Sequence, residues 1–246
     1  MKNDEAKNSV KSWWEEHPCN AEWSKLTTQS KEYYDAIEKE RYRMEPCIPP
    51  FARFDLGKNK KILEVGVGIG TDFIQWAKSG ANAYGIDMTE QAISYTKKRL
   101  EVYNLKVAEL KQSDAENLEF DTDYFDLVYS WGVIHHTPDM EKAFAEIVRV
   151  CNKNGEIKLM LYNRHSIFVF ITWMRFCLFK GHFWKSLKYA VGNFVESPGT
   201  KAYTRSEIRS LLKKYPVDNI KIELKFKNQF IFKLVLFKKS NGTLRN

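Results

Sequence analysis

Residues Lys61–Gly70 (KILEVGVGIG) run a β-prone apolar stretch straight into three glycines at alternate positions, and this feature restricts the chain more than any other. Such a run reads as a buried strand. The glycines let the backbone turn close to a ligand without Cβ interference, while a following helix presents unbonded amides. A strand that turns into a helix in this way needs parallel neighbours, and the sequence supplies them. Asn82–Ile86, Val107–Gln112, Phe125–Ser130 and Glu156–Tyr162 read as strands, and Thr71–Ser79, Thr89–Tyr103 and Met140–Cys151 as the helices between them, with Asn152–Gly155 (NKNG) as a turn. Thr204-x-x-Glu207 is a capping box that opens a helix running to about Tyr215, where Pro216 stops it. Two alternating strands follow near Ile220–Phe226 and Phe230–Phe237, joined by the Lys227–Gln229 turn. The alternation predicts an α/β fold: a seven-stranded, mostly parallel sheet with helices on both faces and an antiparallel final strand.

At 246 residues the chain suits one α/β core with added covering segments rather than two catalytic domains. The expected parts are a helical N-terminal lid (1–57), the core (58–163), an aromatic and basic insertion after the fifth strand (164–200), and a C-terminal helix and strands (201–246) that complete the sheet. The net charge of +8 is unevenly spread: residues 164–246 hold 17 Lys and Arg against 4 Asp and Glu, whereas residues 1–163 hold 22 against 27. A basic third of this kind attracts a phosphate-bearing substrate or an anionic membrane, or is a solvated surface, and nucleic acid is not the expected partner. Cys19, Cys47, Cys151 and Cys177 form no C-x-x-C pair, so no metal site is indicated and free thiols in a reducing cytoplasm are expected. The N-terminal stretch has no apolar signal core. The longest apolar segment, Ile167–Phe179, is broken by Thr172 and Arg175 and is too short to cross a bilayer.

Two acids sharpen the reading of the glycine turn: Asp87 closes the second strand and Asp114 the third. A carboxylate at the second position can accept from a ribose diol, and one at the third from an adenine amine, at the sheet edge where a crevice is expected. The G-x-G-x-G spacing departs from the G-x-G-x-x-G of dinucleotide sites. With LEVGVGIGT, YGIDMT, QSDAENLEF and FDLVYSWGVIHHTPD in this order, residues 60–162 resemble the class I S-adenosylmethionine-dependent methyltransferases, a Rossmann-like family. The resemblance implies S-adenosylmethionine as the cofactor. It places Gly66, Gly68 and Gly70 beside the amino-acid moiety with Glu64 nearby, Asp87 on the ribose, Met88, Asp114 and Ala115 around the adenine, and Ser130 and Val133 beside the methionine part. The alternatives are a nicotinamide-dependent oxidoreductase and a methyltransferase-like module that binds the cofactor without catalysis.

Methyl transfer from a sulfonium needs an in-line nucleophile, so positioning supplies most of the acceleration and a general base is optional. His136 and then His135, just past the fourth strand, are the candidate bases; the competing role for either is ordering the loop. Tyr162 and Asn163, at the end of the fifth strand, and Tyr33, Tyr34 and Arg41 in the lid are candidate acceptor-binding residues. Trp13, Trp14, His17, Pro18 and Cys19 belong to the same lid, where rings near a sulfonium gain cation–π attraction. The Phe, Trp and Lys residues of 164–194 fit either a cap over a small or amphiphilic acceptor or an interfacial membrane contact. Capping is the expected role, because the rings look too evenly mixed with charge for one amphipathic face. The oligomeric state is left open.

Overall fold

This computed structural model describes residues 2–18, 21, 29–225 and 231–239. Two helices come first, α1 (Lys2–Glu16) and α2 (Lys31–Met44), then the short α3 (Ile48–Ala52). The core follows as β1 (Lys61–Val65), α4 (Phe73–Lys78), β2 (Asn82–Asp87), α5 (Glu90–Val102), β3 (Glu109–Gln112), β4 (Phe125–Trp131), α6 (Met140–Val150) and β5 (Cys151–Tyr162). The insertion contributes α7 (Ile167–Trp173) and α8 (Leu187–Phe194), and the chain closes with α9 (Arg205–Leu212), β6 (Val217–Lys225) and β7 (Ile231–Lys238). The strands form one sheet in the order β3-β2-β1-β4-β5-β7-β6. β1 to β5 pair in parallel, and β7 lies antiparallel between β5 and β6, as the sequence predicts.

Local chemistry accounts for most boundaries. Thr89 caps α5 by accepting from the Ala92 amide, Asp139 caps α6 through Lys142, and the Thr204/Glu207 box opens α9. α6 buries Met140, Ala143, Phe144, Ile147 and Val148, the spacing of one helical face, against one side of the sheet. α3, α4 and α5 cover the other side, where Trp76 and Phe73 are fully buried.

Several boundaries depart from expectation. The first core helix is shorter than Thr71–Ser79, because the glycine turn runs on through Thr71 and Asp72, and β3 begins at Glu109 rather than Val107. The Asn152–Gly155 turn lies inside β5: the partner of Phe125 is Cys151 but that of Leu127 is Glu156, so the strand bulges over these residues. The Asn152 side chain donates to Asp126 Oδ1 at 2.7 Å and holds the bulge against β4. α9 ends at Leu212, short of Tyr215, and β6 starts already at Val217. The expected Lys227–Gln229 turn and Cys19 lie outside the described residues.

Candidate functional site

The carboxyl ends of β1, β2, β3 and β4 open into one cavity of about 360 Å³, closed from above by α1 and α2. The glycine turn forms its floor. Gly66 lies at φ +83°, and a Cβ there would sit 2.6 Å from Cγ1 of Val133, so the turn and the loop after β4 are in direct contact. The Gly68 amide donates to Asp87 Oδ2 at 3.0 Å, and its carbonyl accepts from Thr96 Oγ1. Gly70 does not line the cavity. It packs on Thr96 and lets the chain enter α4.

Asp87 also accepts from the Thr89 amide and hydroxyl through Oδ1. Burial pushes its carboxyl up from the ordinary range, and these donors oppose the rise. Met88, Asp114 and Ala115 continue the wall. Lys7 of α1 reaches Asp114 at 2.6 Å and the buried Glu116 at 2.7 Å, and Glu116 Oε1 accepts from the Asp139 amide. One lysine thus joins the lid to the ends of β3 and α6. Glu15 adds a second tie by accepting from the amides of Glu90 and Gln91 at the start of α5.

At the other end of the turn, Glu64 is buried and its Oε2 has no hydrogen-bond partner among the described residues. Burial, then the nearby Asp72, drive its carboxyl well above the ordinary range. Asp72 accepts from Tyr42 and Tyr129 and pairs with Arg41 at 3.4 Å, while Arg41 also reaches Glu45 at 3.4 Å. Arg41 therefore stands at the glycine turn beside Glu64. Tyr33 and Tyr34, expected on the acceptor, do not line the cavity. They are buried against Ile37 and Ile69, with their hydroxyls donating to the carbonyls of Ala21 and Tyr95.

The far end of the cavity lies between β4, β5 and the insertion. Val133, His136 and Tyr162 line it; Ser130, whose hydroxyl donates to the Val65 carbonyl, does not. Asn163 is buried beside Tyr203 and accepts from the His165 amide, also away from the cavity. His135 is fully buried between the rings of His136 and Tyr162, and burial, His136 and Lys201 hold it well below the usual histidine range. It is neutral and does not face the cavity. His136 Nδ1 lies 2.8 Å from Ser197 Oγ and 3.0 Å from Thr200 Oγ1, and Nε2 lies 3.2 Å from Glu196 Oε2. Tyr162 donates to the same Glu196 oxygen at 2.8 Å. His135, His136 and Glu196 offer ligand-type atoms within 4.8 Å of one another, and among the described residues neither ring nitrogen of His135 has a hydrogen-bond partner. Trp14 of the lid also lines the cavity and meets His136 edge-on, whereas Trp13 stacks on His17.

Sequence reasoning missed Lys7, Glu116 and Glu196. A signal for the last exists, since Glu196 is the one acid in residues 164–200. It is also the one residue of that segment on the cavity wall, and the rings there do not line the cavity. Among the described residues, the carboxylates of Glu45, Glu64, Asp72, Asp87, Asp114, Glu116 and Glu196 line the cavity against two side-chain cations, Lys7 and Arg41.

The sheet order, the glycine turn and the acidic strand ends define a Rossmann-like nucleotide-binding domain of the class I methyltransferase type. Residues 63–159 match the sequence model of a methyltransferase domain family. A phosphatidylethanolamine N-methyltransferase of Cereibacter sphaeroides is 33% identical over 101 residues, which cover 41% of this chain and 49% of that protein. A phthiotriol/phenolphthiotriol dimycocerosates methyltransferase of Mycobacterium tuberculosis is 35% identical over 103 residues, 41% of this chain and 37% of that protein. The solved magnesium protoporphyrin IX methyltransferase from Synechocystis PCC 6803 with bound SAH superposes with a TM-score of 0.64 over 95% of this chain and 100% of that one; at 13% identity it speaks to the fold alone. The match to the methyltransferase domain family is thus confined to residues 63–159, and the chain spans about half the length of the first of these curated relatives and less of the second.

Proposed function

We propose that this chain transfers the methyl group of S-adenosylmethionine to a small or amphiphilic organic acceptor by in-line displacement. The observation that carries the reading is one continuous cavity that holds the glycine turn, Glu64, Asp87 and Asp114 at one end and Tyr162, His136 and Glu196 at the other. The first end suits the cosubstrate group by group. Asp87 serves the ribose diol, and Asp114 and Ala115 the adenine, with Lys7 sharing Asp114. The partnerless Oε2 of Glu64 would receive the cosubstrate's ammonium, and Arg41 stands beside it for the carboxylate. A nicotinamide cofactor is disfavoured, since the Gly68 amide is committed to Asp87 and is not free for a pyrophosphate. Calorimetric titration should show binding of S-adenosylhomocysteine and none of NAD(P); the reverse would refute the reading. Transfer of labelled methyl to a lipid extract then separates an enzyme from a module that only binds.

A second observation bears on where the acceptor comes from. α7 and α8 pack as a hairpin that turns Val169, Thr172, Ala190 and Val191 inward and leaves large apolar groups outside. Ile167, Phe170 and Ile171 on α7 are half exposed, and at the tip Phe179 is 75%, Phe183 66% and Trp184 65% exposed. Residues 164–195 hold five Lys and Arg and no Asp or Glu. The rings point outward, and Arg175, Lys180 and Lys185 stand among them, with Lys180 exposed beside Phe179. That combination fits an anionic bilayer surface, where rings enter the headgroup layer and cations gain from the surface potential. The proposed acceptor is accordingly an amphiphile drawn from a membrane, in keeping with the lipid named for the Cereibacter protein. The protein should sediment with phosphatidylglycerol-containing vesicles at physiological salt and much less with phosphatidylcholine alone. Replacing Phe179 and Trp184 by Ser should weaken the binding tenfold or more. Free protein remaining in the supernatant of anionic vesicles would refute the docking surface and leave the methyl-transfer reading intact.

A further inference from the structure

The connection between α8 and α9 contributes one ionisable side chain to the cavity, and the cosubstrate end has no use for it. Glu196 sits at φ +53°, a left-handed conformation that is unfavourable for a residue with a Cβ, and the surrounding contacts hold it there. His136 Nε2 and the Tyr162 hydroxyl both meet its Oε2. Oε1 makes no hydrogen bond or ion pair among the described residues, and the side chain is 39% exposed on the cavity wall.

The surroundings of His136 account for both of its ring nitrogens. Nδ1 faces the hydroxyls of Ser197 and Thr200, and Nε2 lies 3.2 Å from Glu196 Oε2. His136 therefore stands behind Glu196, and the carboxylate stands between it and the acceptor space. Burial raises the Glu196 carboxyl, but the His136 and Tyr162 hydrogen bonds outweigh this and hold it below the ordinary range, so it is ionised near neutral pH.

An anion at the acceptor end selects for chemistry. An incoming carboxylate would be repelled, and an alcohol would gain only a neutral-donor hydrogen bond. We propose that Glu196 recognises the acceptor as a primary or secondary amine, taking an N–H hydrogen bond on its open oxygen and stabilising the positive charge that nitrogen gains on methylation. This rests on methyl transfer taking place in this cavity. The amine arrives at the reaction after giving its extra proton to water. Its lone pair then forms the N–C bond to the methyl carbon, the C–S electron pair stays on sulfur, and the positive charge moves from sulfur to nitrogen with every N–H retained. Glu196 therefore faces more positive charge as the reaction proceeds, the condition under which a fixed anion accelerates it. Trp14 and Trp131 also line the cavity, and aromatic rings attract a cationic nitrogen.

Dodecylamine and dodecanol are matched probes, because they share a chain and differ in the head group. Both are titrated calorimetrically at neutral pH into protein saturated with S-adenosylhomocysteine, so that the ammonium stands in for the methylated product. The wild type should bind the amine at least tenfold more tightly than the alcohol. Glu196→Gln should lose about tenfold to a hundredfold for the amine and leave dodecanol and S-adenosylhomocysteine unchanged. Glu196→Asp keeps the charge on a shorter stem and should lose several-fold for the amine alone, which covers the case of a poorly folded Gln variant. Equal affinity of the wild type for both probes, equal losses for both probes in either variant, or amine binding abolished by a chelator would overturn the assignment; the last would point instead to a metal held with His135 and His136. Failure of the wild type to bind S-adenosylhomocysteine at all would count against the methyl-transfer reading.

Discussion

Gly66→Ala tests the contact on which the cavity floor depends. Two costs follow from the structure. The residue lies at φ +83°, where an added Cβ costs about 1–2 kcal/mol in backbone strain. The new Cβ would also fall 2.6 Å from Val133 Cγ1, 2.9 Å from its Cβ, and closer still to Cγ2, so the β4 loop must move, an overpacking cost of about 1–3 kcal/mol. Together these predict a loss of roughly 2–5 kcal/mol in a denaturant titration. S-adenosylhomocysteine affinity should fall with it, because the turn and Val133 both line the cavity. The two costs separate in a double variant. Val133→Ala alone removes part of a half-buried side chain and should cost about 1 kcal/mol, but combined with Gly66→Ala it removes the two Cγ contacts and leaves the 2.9 Å Cβ–Cβ approach and the backbone strain. The double variant should therefore be more stable than Gly66→Ala alone. A Gly66→Ala protein of wild-type stability, or a double variant whose losses simply add, would refute the reasoning.

Asp87→Ala deprives the ribose diol, the Gly68 amide and Thr89 of a common acceptor; S-adenosylhomocysteine affinity should drop about tenfold to a hundredfold by calorimetry, in a protein that still melts cooperatively. Lys7→Ala leaves Glu116 buried without its cation and should cost about 1–3 kcal/mol, seen as faster amide exchange across α1. Despite its partial burial, hydrogen bonds to Asp114 and Glu116 raise the lysine's pKa in the folded state. Its stabilisation is thus full below the ordinary lysine pKa and lost as pH rises through the raised folded value, so exchange in α1 should speed up at alkaline pH. His135 is buried neutral and the unfolded chain takes up a proton that the folded one refuses. Stability should be level above about pH 6.5 and fall by about 1.4 kcal/mol per pH unit below it, a slope that His135→Gln should remove in acid urea titrations.

What could be read from the sequence and what could not divide along a physical line. β1, β4 and α6 declare themselves because their burial is written in consecutive or periodic apolar residues, and α9 because both halves of its cap lie three positions apart. The bulge in β5 is hidden, since Asn-Lys-Asn-Gly has the composition of a turn and only Asp126 on the neighbouring strand makes it part of the ladder. The cavity wall around the glycine turn is legible for the reason that β1 is: most of its glycines and acids sit on consecutive strand ends, so the order of the chain is the order of the wall. Its lid is not, because Lys7 meets Asp114 across 107 positions and nothing local marks it. Tyr33 and Tyr34 mislead in the opposite sense. Their rings look available for a substrate, but the helix turns them onto Ile37 and Ile69.

The acceptor end is built almost wholly from such distant meetings. Glu196 reaches His136 and Tyr162 from an insertion whose composition speaks only of rings and lysines. The same segment turns its apolar side away from the cavity and its single acid toward it. Surface and site therefore make opposite demands on a short stretch of chain. Cations outside favour an anionic surface, whereas an anion inside disfavours any acceptor whose reactive end is negative. Under the proposed reading, an amphiphile that carries an amine meets both demands, because its apolar part suits the exposed rings and its nitrogen suits Glu196.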